Sequence, residues 1–77
     1  MGVKLPFSIV IPEGGKHVTA HRTLFGALAD ARKCNVSRAS RDLPLVTVLD
    51  RGTGRVYEVP PDADILAIEA GVTWSLS

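Results

Sequence analysis

The stretch LVTVLDRGTGRVYEV, residues 45–59, decides the fold. Leu45–Leu49 is a β-branched, apolar run broken only by Thr47. Asp50–Gly54 is a turn cluster whose glycines supply the positive φ that other residues avoid. Arg55–Val59 then returns with strand-forming residues. Run, turn and run predict an antiparallel hairpin.

Working upstream, CNVSRASRDLP (34–44) is polar and basic, has lost helical periodicity and closes on Pro44. It reads as a flexible connector. Before it, TLFGALADARK (23–33) predicts a helix. Leu24, Leu28 and Ala31 recur on one helical face, and Phe25 widens the stripe. Thr23 fits an N-cap, and Arg32 and Lys33 complement the dipole in the last turn. Gly26 inside the helix predicts a close approach to the sheet.

The first residues repeat the hairpin pattern. FSIVI (7–11) places Phe7, Ile9 and Ile11 on one strand face, PEGGK (12–16) turns, and HVTA (17–20) returns. Gly15-Lys16 superficially suggests a phosphate loop. That motif wants glycine where Val10 stands, Ser or Thr where His17 stands, and a helix afterwards. Here the glycines turn the chain.

Downstream, Pro60 and Pro61 end the second hairpin. Residues 62–70 fit a short helix capped by Asp62 and stopped by Gly71, with a strand as the alternative. VTWSLS (72–77) alternates Val72, Trp74 and Leu76 with polar residues, which predicts a half-exposed terminal strand. The expected order is β-β-α-β-β-(α)-β. This is an α+β single domain over residues 1–77: a small antiparallel sheet of four to five strands with one main helix on one face.

Composition narrows the function classes. The chain has 77 residues, 45% hydrophobic and 22% charged, which fits one small globular domain. No apolar run reaches the roughly 20 residues of a membrane span, and MGVKLPFSIV lacks the apolar core of a secretory signal. Pro6 stands where a myristoylation signal wants Ser or Thr. Cys34 is the single cysteine, so no intrachain disulfide forms and a reducing cytoplasm is the expected location. Read at a helix C-terminus, Cys34 is a small hydrophobe in a place unfavourable to thiolate.

The net charge of +1 hides an asymmetry. Residues 1–41 carry seven Lys and Arg against Glu13 and Asp30, so +5. Residues 42–77 carry Arg51 and Arg55 against six carboxylates, so −4. The two halves either neutralise one another on packing or leave a bipolar surface that steers partners.

The candidate chemistry is thin. His17 and His21 are four apart, about 13 Å along a strand, too far to share a metal. Cys34 has no visible orienting partner, Ser37 and Ser40 lack a nucleophile-elbow setting, and Asp62 and Asp64 suit a helix start. No catalytic residue, cofactor or metal site is expected. The strongest feature is the basic set Arg22, Arg32, Lys33, Arg38 and Arg41, which suits a protein or phosphate surface as well as plain solvation. Tyr57 and Trp74 are candidate interface aromatics, or core residues under the helix. Phe7 and Phe25 read as core.

The layout resembles that of small accessory proteins encoded by phages and mobile elements, some of which inhibit host assemblies such as CRISPR effector complexes. The resemblance covers most of the chain and rests on no specific motif. It implies a small non-enzymatic binding protein, an inhibitor or regulator of a larger complex, with a protein partner. The alternatives are a nucleic-acid-binding module using the 32–41 segment and a homo-oligomer that self-assembles as a structural subunit.

Overall fold

The computed structural model describes residues 5–75, with side chains through residue 71. The order is β1 (Phe7–Ile11), β2 (Lys16–His21), α1 (Leu24–Ser40), β3 (Thr47–Asp50), β4 (Val56–Glu58) and α2 (Ile65–Ser75). The four strands form one antiparallel sheet in the order β2-β1-β3-β4. The α+β class, both hairpins and the main helix are as the sequence predicts.

The cross-strand register explains the core. Ile9 lies opposite Val48, and Val48 opposite Tyr57, so one row of side chains crosses three strands. All three are buried, together with Val46 and Val59. Helix α1 covers this row with Ala27, Leu28 and Ala31, and Ile65 of α2 closes the cluster. The opposite sheet face carries Ser8, Val10, Thr47, Leu49, Val56 and Glu58.

Both turns follow their sequences. Gly14 and Gly15 take φ of 84° and 64°, which are left-handed values natural to glycine. In the second turn the Asp50 carboxylate accepts the N–H of Gly52 at 2.9 Å, and Gly54 turns at φ 78°. The Thr23 hydroxyl accepts the Gly26 N–H at 3.1 Å, as an N-cap should. A Cβ on Gly26 would meet that hydroxyl at 3.1 Å and the His21 ring at 3.7 Å. The crowding at Gly26 therefore comes from the cap and His21 side chains and not from sheet backbone.

Three expectations are corrected. Residues 34–40 are not a connector: α1 runs on to Ser40. Its end is a Schellman arrangement, with Asp42 N–H on the Ala39 carbonyl (3.1 Å) and Leu43 N–H on the Arg38 carbonyl (2.9 Å). Asp42 takes the left-handed position at φ 57°, where glycine would have announced the stop. Cys34 accordingly lies well inside the helix and is exposed.

Second, residues 72–75 are helical and not a strand; residues 76 and 77 of that expected strand lie outside the described residues. VTWSLS alternates, but its residues 72–75 continue a helix already under way from Ile65. Third, the cap of α2 is Asp64 and not Asp62: its carboxylate accepts the Ala67 N–H at 3.2 Å.

Candidate functional site

The five basic residues do not form one patch. Arg22 precedes α1 and Arg41 follows it, so the helix holds them about 28 Å apart at ~1.5 Å per residue. Two of the five serve the fold. Arg32 donates to the Ala63 carbonyl at 3.2 Å and so ties α1 to the approach of α2. Arg38 reaches back to the first turn, where its Nη2 donates to both Glu13 carboxylate oxygens at 2.6 and 2.8 Å. Its Nε also donates to the Pro44 carbonyl. Arg22, Lys33 and Arg41 are exposed, without a side-chain partner among the described residues.

Hydrogen bonding from Arg38 holds the Glu13 carboxyl below its ordinary value. A carboxyl depressed in the folded state stabilises the fold above its unfolded pKa and loses that contribution as pH falls through the folded value. Wild type and E13Q should therefore differ at about pH 7 and converge below the ordinary carboxylate range. Urea unfolding at the two ends of that window checks it; a gap that persists in acid rules out this linkage.

Tyr57 belongs to the core at 7% exposure, with the Arg55 guanidinium 5.2 Å from its ring centre. Trp74 falls in the last turn of α2; its side chain lies outside the described residues. Phe7 packs at the margin of the core, whereas Phe25 is 45% exposed and lies off the buried stripe. His17 and His21 take opposite sheet faces, because a bulge in β2 at Val18, opposite Ile9 and Val10, shifts the pairing: His17 opposes Val10 and His21 opposes Phe7. His21 Nε2 lies 3.0 Å from the Asp30 carboxylate, joining the end of β2 to α1.

Asn35 is the functional-looking residue that the sequence reading passed over. It is fully buried on α1. Its Nδ2 donates to the carbonyls of Val46 (3.1 Å) and Val59 (2.6 Å), and its Oδ1 accepts the Val46 N–H at 2.7 Å. Val46 and Val59 sit one step beyond the Thr47–Glu58 pair in the β3–β4 register. The amide thus takes over where the ladder stops. Its three bonds are all spent on the fold, so its role is structural.

Among the described residues, two exposed surfaces combine apolar side chains with room for a partner. One is the outward side of α2, where Leu66 is 66% exposed and Ala67, Ala70 and Gly71 are also exposed. The other is a groove of about 310 Å³ between α1 and β2, floored by Ile9, Ile11 and Val46. Among the described residues no helix is long and apolar enough to cross a membrane, and no cluster of three or more His, Cys, Asp or Glu could hold a metal.

The fold defines the chain as a small α+β protein built on a four-stranded antiparallel sheet. The chain matches no protein-family model, no curated protein and no solved structure.

Proposed function

We propose that this is a small non-enzymatic protein-binding protein that inhibits or regulates a larger assembly, of the kind that phages and mobile elements encode. The observation that supports the reading is α2. Of its residues Ile65–Ser75, Glu69 alone carries a charge. A helix with so little polar circumference needs cover on more than one side. Helix α1 covers the Ile65 side, which joins the core cluster, and Leu66 on the other side is left in water. A partner protein would bury it. The nucleic-acid reading loses support, because Arg32 and Arg38 are engaged within the fold.

The test is a pull-down from cell extract with the tagged full chain, with and without nuclease. A protein partner should survive nuclease and be lost with Leu66→Asp, a loss of about 30-fold if Leu66 is an interface anchor. Leu66 is exposed, so the variant should keep its circular dichroism and melting temperature. Release of all bound material by nuclease would instead favour Arg22, Lys33 and Arg41 acting on phosphates. A discrete oligomer of the chain alone, dispersed by Leu66→Asp, would favour self-assembly.

A further inference from the structure

Strand β2 is an edge of the sheet, and residues 16–20 are exposed throughout. Its outer backbone groups are free to pair with another extended chain. The groove lies directly inside this edge. The bulge brings the sequence neighbours Val18 and Thr19 to the same groove wall. The other wall is one face of α1, formed by Asp30, Cys34, Ser37 and Arg38. Val18 is 53% exposed although it stands beside an apolar floor. This places a strand edge for main-chain pairing beside a slot for alternate side chains, the two components of strand-addition recognition.

Charge identifies the occupant. Lys16, His17, His21 and Arg22 line the edge, and no carboxylate occurs between Glu13 and Asp30. Those two flanking carboxylates are already held, Glu13 by Arg38 and Asp30 by His21. Lys16 and Arg22 have no partner among the described residues. A second copy pairing antiparallel about Thr19 would set Lys16 against Arg22, and like charges across a strand pair are destabilising. An acidic strand meets neither obstacle. We infer that the β2 edge and its groove receive an extended, acidic segment of a partner protein, with an apolar side chain seated among Ile9, Ile11, Val18 and Cys34. This surface is distinct from the exposed side of α2 and does not depend on it.

The test is selection of random peptides of about twelve residues, enough for one strand, against the immobilised full chain. Enriched peptides should alternate apolar and polar residues and be net acidic. Labelled copies should bind about tenfold more weakly or worse to Val18→Glu, and similarly to the Lys16→Glu/Arg22→Glu double variant, with affinity falling as salt rises. Binding to Leu66→Asp should be unchanged. The three positions are exposed, so the variants should fold, and melting curves verify it. Amide shifts in the labelled protein should concentrate on β2 and α1. Enrichment of basic or helix-patterned peptides, no enrichment, or equal binding by Val18→Glu would each overturn the proposal. Loss with Leu66→Asp alone would overturn it too, while leaving the proposed function standing.

Discussion

Replacing Asn35 by alanine should destabilise the protein by about 3–9 kcal/mol, because three buried main-chain groups lose their partner at ~1–3 kcal/mol each. The groups are the N–H and carbonyl of Val46 and the carbonyl of Val59. A chain of this size is expected to have about 4–12 kcal/mol in total. The variant should therefore melt about 15 °C lower or more, or fail to fold. Asn35→Asp distinguishes a hydrogen-bond role from simple packing. Its carboxylate keeps the Val46 N–H but turns an unprotonated oxygen toward two carbonyls. Burial and those carbonyls raise its folded pKa above the unfolded one. Such a group destabilises most at neutral pH, and stability returns as pH falls through the raised folded value toward the unfolded one. N35D should thus gain stability on mild acidification, opposite to the effect of Glu13. An N35A protein that melts with wild type, or an N35D protein indifferent to pH, would show that the amide does not hold the two hairpin ends.

That residue also shows where sequence reading reaches its limit. The hairpins were legible because turn chemistry is local: Asp50, Gly54 and the Gly14-Gly15 pair determine their bends with residues a few positions away. The last turns of α1 were not. They bury Asn35 alone, so no apolar stripe marks them, and the left-handed stop is Asp42 where glycine is the usual signal. Pro44 was visible, but it follows the stop and does not set it. The strand reading of VTWSLS failed over residues 72–75 for a related reason. Alternation satisfies a strand, yet the outcome there depends on the helix that precedes them. The basic set was legible as charge and not as a site, since the carbonyl of Ala63 and the carboxylate of Glu13 come from distant parts of the chain. The groove beside β2 was hidden altogether. It exists because a bulge turns Val18 toward α1, and a single sequence carries no signal for that register shift.

The same contrast between pattern and packing sets up a paired substitution on α1. Leu28 and Phe25 both look like stripe residues, and the phenylalanine has the larger apolar surface. In the fold Leu28 is fully buried against the sheet, while nearly half of Phe25 is in water. Leu28→Ala should therefore cost about 2–5 kcal/mol, the sum of lost transfer energy and a cavity that its small neighbours Ala27 and Ala31 cannot fill. Phe25→Ala should cost under about 1 kcal/mol, since little leaves the core and alanine favours the helix. Urea denaturation of the two variants measures both. If Phe25→Ala proved the more damaging, α1 would have to be rotated about its axis. Leu28 would then point away from Ile9 and Val48, and Asn35, seven residues further along the same face, could not reach Val46 and Val59. The two substitutions on α1 thus test one orientation of the helix, the orientation that also places Asp30, Cys34 and Ser37 along the groove.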